Sequence, residues 1–397
     1  MGNQLDWQLL DGIAAHGQHL QRGLHKHSHA WLSTPQASQQ PLLSSWVASQ
    51  LHTTDHLEDS ASTQVPEPQL HHWKGWICHD SGHFAEAHSH FSQAWALLCN
   101  QAEPTGSSPS TSPPSAIHGQ VALGLGRTHI RSGHWHHARG WLLYGLSVAR
   151  RTGDEATVFK SYGALGELFI RASAVPQGFA CLNLAYRLLP AGSGQRARQL
   201  NYLATALARL EEPLRAQSVL MTSYHMSKDG GDSISQWHAL ARLQHLSLKC
   251  PPDIRPSPNS LDELAHAIEL APAVARGYWR LAKARACLAT DPGTTNSMAD
   301  LLTAACADFQ SANLPMEQAW AGLWLHHHTA HPHPWQQAVA HAQVLMNLTP
   351  TESPRPIGVL DNSFEHTPLP TQQAFQPLLQ LPTSLAALEQ LDELFFL

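Results

Sequence analysis

Residues 70–98 read LHHWKGWICHDSGHFAEAHSHFSQAWALL, two short amphipathic helices around one glycine-bearing turn, and the same spacing returns further along the chain. Gly75 and Ala87 are small where two antiparallel helices must cross closely. Phe84 and Phe91 are the large side chains that fill around them, and Gly82 supplies the tight turn. Segments such as AIHGQVALGLGRTHI and ATVFKSYGALGELFI keep apolar residues at i, i+3, i+4 and i+7, and no run of β-branched residues alternates convincingly with polar ones. The chain is therefore expected to be all-α. Neighbouring pairs must then bury one another's apolar faces.

Aligned on itself, the pattern resembles the tetratricopeptide repeat, in which small residues, a glycine, aromatics, an alanine and a terminal proline fall at set places. Copies begin near Pro68, Gly119, Phe159 and Ala197. The second carries Gly126, Gly133, Trp135, Ala138, Leu142 and Gly145; the third Gly166, Val175, Leu182, Ala185 and Pro190; the fourth, weaker, Ala204, Ala216 and Leu220. Beyond residue 230 the pattern degrades but helix pairs persist: SISQWHALARLQHLSL with SLDELAHAIELA, AVARGYWRLAKARACLA with NSMADLLTAACADFQ, and MEQAWAGLWLHHHTA with WQQAVAHAQVLMNL. The resemblance spans about 68–348 and implies a right-handed α-solenoid of six or seven antiparallel helix pairs, a TPR-like superhelix. Repeats of this length with motifs such as ARRTGD at 149–154 are similar to the degenerate bacterial sensor solenoids of transcriptional activators and diguanylate cyclases. No helix-turn-helix, cyclase or kinase signature accompanies them, so the resemblance implies binding and no enzymatic output.

Three breaks divide the chain: a Ser/Pro loop at 100–115, the Pro-rich CPPDIRPSPNS at 250–260, and TPTESPRPIG at 349–358. The expected units are an N-terminal helical extension or cap over 1–65, TPR-like repeats over 66–230, degenerate helical repeats over 231–348, and a Pro-rich linker with a C-terminal amphipathic helix over 349–397. That last helix, SLAALEQLDELFFL, reads as a cap on the solenoid, a docking element, or an acidic latch folded onto a basic groove.

Composition narrows the partners. Charged residues are 14% of 397 and the formal net charge is −6 with histidine neutral, the opposite of a nucleic-acid binder's balance. Six scattered cysteines without a C-x-x-C pair, no basic signal-peptide start and no long apolar run point to a cytoplasmic chain that neither enters a membrane nor is stapled by disulfides. The P-loop and nucleophile-elbow motifs are absent, so no catalytic residue and no cofactor is assigned.

The first helix of each pair lines the concave face of such a solenoid, and the family's inward positions fall here on His72, Trp76, Arg127, Arg131, Lys160, Arg171, Arg198 and Arg209 among others. Basic residues thus recur inside an acidic chain. Arg127 and Arg131 share a helical face, as do Arg276 and Arg280 with Lys283, and a planar guanidinium suits carboxylates. The expected partner is a protein or peptide, acidic or presenting its C-terminal carboxylate, with His72 and Trp76 as an aromatic shelf. Two other readings stay open. Degenerate repeats could sense a small molecule, and the 29 histidines cluster at His25, His27 and His29, at His83, Glu86 and His90, at His134, His136 and His137, and at His326, His327, His328, His331 and His333, in metal-chelating spacing but without a recognised metal motif. Oligomeric state is left open.

Overall fold

A computed structural model describes residues 66–80, 82–100, 114–190, 193, 195–247, 271–290, 295–329, 333–350, 352–357 and 362–369. The expected extension at 1–65, most of the Ser/Pro loop, the segment SLDELAHAIELA and the C-terminal amphipathic helix lie outside them. Among the described residues there is no strand. Thirteen helices follow one another: α1 (Glu67–Asp80), α2 (Phe84–Asn100), α3 (Ala116–Ser132), α4 (Trp135–Thr152), α5 (Glu155–Arg171), α6 (Val175–Leu188), α7 (Gln195–Arg209), α8 (Pro213–Asp229), α9 (Ser233–Ser247), α10 (Ala273–Thr290), α11 (Thr295–Ser311), α12 (Pro315–Thr329) and α13 (His333–Met346), then a single turn at Asn362–Glu365. None is long and apolar enough to cross a membrane.

Local sequence sets the helix ends. Asp154 accepts the Thr157 N–H at 3.0 Å, capping α5, and its other oxygen accepts from Gln120 of α3 at 3.0 Å, so one carboxylate both starts a helix and ties two repeats together. Gly133 ends α3 in the left-handed region at φ 80°, its N–H returning to the carbonyls of His129 and Ile130.

Packing follows one repeated device. A small residue on the first helix of a pair receives a large one sixteen positions later on the second: Gly75 and Phe91, Gly126 and Leu142, Gly166 and Leu182, Ala204 and Leu220. A methyl group on Gly75 would sit 2.6 Å from the Phe91 ring, one on Gly126 2.6 Å from Leu142, and one on Gly166 2.5 Å from Leu182. Phe91 is fully buried because Gly124 of α3 makes way for its ring too, so the knob of one pair also locks the next pair on. The device returns as Gly277 of α10 against Phe309 of α11, at a wider sequence spacing because the glycine lies near the start of α10 and the ring near the end of antiparallel α11. Helices pack mainly on their sequence neighbours, as stacked pairs require.

The stack does not stay open. The end of α11 returns to the first repeat, where Gly82, at φ 80°, abuts the carbonyl oxygens of Asn313 and Ala312; a methyl group there would meet them at 2.6 and 2.7 Å. Phe84 shares one apolar cluster with Leu314 and Met316, and α13 packs on α2 and α3. The polypeptide after α13 then crosses α4 and α5. Ile357 N–H donates to Ser147 Oγ at 3.0 Å, Arg139 donates to the Thr367 carbonyl at 2.5 Å, and buried Phe364 lies beside Tyr162 and Phe169. Residues 352–357 and 362–369 are thus packed against the solenoid rather than strung out as a tether.

The contact at Gly82 yields a test. Gly82→Ala combines a left-handed backbone, worth about 1–2 kcal/mol against a Cβ, with a clash against backbone. Gly153 has a similar φ of 73° and open space around it. In urea unfolding Gly82→Ala is expected to lose clearly more stability than Gly153→Ala; equal losses would show that the closure at Asn313 carries no weight.

Candidate ligand-binding site

The first helices of successive pairs present polar side chains four residues apart to the inner face: Arg127 and Arg131 on α3, Glu167 and Arg171 on α5, Arg198 and Tyr202 on α7, His238 and Arg242 on α9. Tyr278 of α10 and Glu317 of α12 complete the circuit from the far end of the chain. Because the stack closes on itself, these groups converge instead of lining an open trough.

Two carboxylates are built into the cluster. Arg171 Nε donates to Glu167 at 3.2 Å with both side chains buried. Burial alone would raise the Glu167 carboxyl, but Arg171, Arg131 and Arg127 overrule it and hold it down to about 2. Arg131 Nη1 reaches Glu317 at 3.1 Å, and the Tyr278 hydroxyl donates to the same oxygen at 3.2 Å. Burial opposes the Arg131 charge, yet Glu167 and Glu317 more than offset it, so its pKa is raised. Phe84, Met316 and Leu345 line the small crevice beside this pair.

The α7 and α9 side of the cluster is different. Arg242 Nε donates to Thr205 Oγ1 at 3.1 Å and the guanidinium lies 5.7 Å from the centroid of the Tyr202 ring. Arg198 leaves Nη2 buried without a hydrogen-bond partner, and Asn201 Oδ1, one turn on, is also buried and unmatched. Burial lowers the pKa of both Arg198 and Arg242. His238 lies among these charges; burial, then Arg242, Arg198 and Arg131, push it down to about 3, so it is neutral at any physiological pH. This half of the site is electropositive and desolvated.

The structure places the sequence-derived candidates unevenly. Arg127, Arg131, Arg171 and Arg198 come together. His72 and Trp76 are core residues, 2% and 6% exposed, with Trp76 Nε1–H donating to His72 Nε2 at 2.9 Å. Trp76 still meets the cluster through Arg127, whose guanidinium stands 5.6 Å from its ring centroid. Lys160 is half-buried two turns before Glu167. Arg209 faces the turn between α5 and α6, donating to the Ile170 carbonyl and to Ser173 Oγ, the latter at 3.2 Å. Arg276 and Arg280 share Asp308 of α11, at 2.8 and 2.6 Å, and so bind two helices to each other. His238, Arg242, Tyr278 and Glu317 lie past residue 230, where the repeat pattern is too weak to assign inward positions. The only signal for the first two was the four-residue spacing shared with α3, α5 and α7. Among the described residues no three His, Cys, Asp or Glu side chains are grouped to hold a metal ion.

No family model matches the chain, and no curated protein does. Solved structures do. A Rap protein complexed with competence and sporulation factor superposes over 78% of this chain and 80% of its own, at a TM-score of 0.52 and 11% identity. The chain is similar in fold to Rap proteins. A second, the Rap conjugation gene regulator of the plasmid pLS20 in complex with the Phr* peptide, covers 87% of this chain and 96% of its own, at a TM-score of 0.50 and 10% identity. The Rap likeness extends over most of each chain and gives this protein the fold of a TPR-like helical-repeat solenoid. Identity this low carries the fold alone.

Proposed function

We propose that this protein is a non-enzymatic peptide-binding scaffold of the cytoplasm, one that takes an acidic peptide against the inner face of its solenoid. The observation that carries the reading is the convergence of Arg127, Arg131, Arg171, Arg198 and Arg242 from four helices on the inner face, where Glu167 pairs with Arg171 and Glu317 with Arg131. An extended peptide fits an inner face of stacked helices, and guanidinium groups recognise carboxylates with directional paired hydrogen bonds. The Rap structures complexed with a factor and with a peptide support the mode of binding by analogy of fold. Within the cluster His238 is neutral but surrounded by arginines, and the Tyr278 hydroxyl donates to Glu317.

The test is recovery of the natural ligand. The full chain is incubated with the low-mass fraction of its native lysate and re-isolated, and what it releases in acid is sequenced by mass spectrometry. One or a few enriched acidic peptides are expected. A single non-peptide metabolite in their place would overturn this reading in favour of a small-molecule sensor of the kind found on bacterial activators and cyclases.

A further inference from the structure

Five arginines face inward, and carboxylates of this chain are built in among them. Arg171 grips Glu167 and Arg131 grips Glu317, at 3.2 and 3.1 Å. The neighbouring pair on α7 and α9 has no such salt bridge among the described residues; Asp232 and Asp80 act on Arg198, and Glu167 on Arg242, only at longer range. Arg242 is fixed by Thr205 and by the Tyr202 face, 9% exposed, and points no hydrogen bond at a carboxylate. Arg198 is held one turn before Tyr202, with Nη2 buried and unmatched. Leaving a guanidinium N–H buried without an acceptor is costly. The cost is offset when an acceptor arrives.

Resting on the peptide-binding reading above, we infer that Arg198 and Arg242 form a carboxylate subsite which reads one acidic group of the bound peptide. The ligand carboxylate takes the place that Glu167 and Glu317 occupy beside their own arginines, one oxygen on Arg198 Nη2 and the other toward Arg242. A single carboxylate suffices because Asp232 and Asp80 already act on Arg198 and Glu167 on Arg242 at longer range, and because His238 contributes no positive charge. Desolvation strengthens the interaction, since partly buried charge pairs are little screened by salt. It also makes the subsite selective: an amide of the same shape leaves both guanidinium groups buried without a directly paired carboxylate.

The side chain of Asp or Glu and a peptide's C-terminus offer the same chemistry, and four probe pools separate them. Fluorescein-labelled pentapeptide pools of otherwise mixed sequence carry a central Asp or a central Asn, each as free acid and as C-terminal amide; a fifth carries phosphoserine. Fluorescence anisotropy on the full chain is expected to rank a carboxylate-bearing pool at least tenfold tighter than Asn amide. Asp amide retaining the affinity assigns the side chain, and Asn free acid retaining it assigns the C-terminus. Arg198→Gln with Arg242→Gln should erase the difference between the carboxylate-bearing pools and Asn amide, while Arg276→Gln, which disturbs contacts to Asp308 and Ala271, preserves it. If all pools bind equally to the wild type, peptide binding stands and the carboxylate subsite is wrong; if the phosphoserine pool binds tightest, the assignment to carboxylate is wrong. Failure of every pool to bind the folded chain overturns both readings. The comparison of pools on the unaltered protein keeps the test open even where the double variant folds poorly.

Discussion

Replacing Glu317 by Ala is expected to destabilise the fold by about 3 kcal/mol, at the lower end of what breaking a buried ion pair costs. Glu317 is 3% exposed and accepts from both Arg131 and Tyr278, so the truncation removes a salt bridge from the guanidinium and an acceptor from the buried phenol together. Arg131 keeps some access to water, with 26% of its side chain exposed, which is why the lower end applies. The pair joins α3 to α12 across 186 residues of sequence, so the loss falls on the closure of the solenoid more than on any one repeat. Urea unfolding followed by circular dichroism measures it. A second variant separates pairing from packing: Arg131→Met with Glu317→Leu removes both charges, retains apolar bulk, and is expected to recover most of the lost stability. If the double variant is as unstable as Glu317→Ala, the pair is not what holds α12 to α3. The same geometry explains why reversing Arg127 and Arg131 to glutamate is a poor probe of ligand capture. Glu at 131 would face Glu317, and the loss of binding would report an opened ring.

How much of this was legible beforehand depends on the distance over which each feature is encoded. The Gly75–Phe91, Gly126–Leu142 and Gly166–Leu182 pairs are local, lying within a single helix hairpin, and their spacing stands in the sequence unaltered. The same contact at Gly277 and Phe309 was hidden because it pairs the start of α10 with the end of α11. Inward positions on α3, α5 and α7 followed from the repeat register, and four of their arginines do converge. The closure is encoded by nothing periodic. It depends on Gly82 meeting Asn313, on Phe84 meeting Leu314 and Met316, and on Glu317 reaching Arg131, and each of these joins residues more than 180 positions apart. It is the closure that turns an expected open groove into an enclosed face and gives Arg131 a structural partner. His72 and Trp76 read as a shelf because both are polar-tipped and fall at inward positions. They satisfy each other's ring nitrogens instead, and that pairing lets the indole enter the core.

Mild acid is expected to unfold this protein far more readily than its low charge density implies, and the histidines between the first repeats and α13 are the reason. His129 of α3 is fully buried with neither ring nitrogen hydrogen-bonded, and around it stand His88 of α2 and His134 and His137 of the α3–α4 connection and α4, with ring centroids 5.0, 5.8 and 5.9 Å away. Burial lowers all four pKa values, most strongly at His129, where the other three add mutual repulsion. Only the Met346 carbonyl, at His134, and Glu352, near His137, pull the other way. The folded pKa therefore lies below the unfolded value of ~6.5. Above that pH both states are neutral and nothing is gained or lost. Below it the unfolded chain binds protons that the folded chain refuses, and stability falls with pH until the folded pKa is reached, by up to about 1.4 kcal/mol per pH unit for each such histidine. Urea midpoints at pH 7.5 and 5.5 should differ accordingly. His129→Leu removes the most depressed group and two unmatched buried nitrogens, so it is expected to raise stability at pH 7.5 by about 1–3 kcal/mol and to flatten the decline toward pH 5.5. An unchanged slope in that variant would move the acid sensitivity elsewhere, to His79 and His238, which are also buried and lowered but lie on the inner face. The placement of the cluster decides what acid does first. His134 is bonded to the end of α13 and His88 belongs to the helix on which α13 packs, so protonation acts on the seam that closes the ring. Hydrogen exchange at pH 5.5 is expected to rise in α13 before it rises in α5 or α7, whose helices carry none of these four groups.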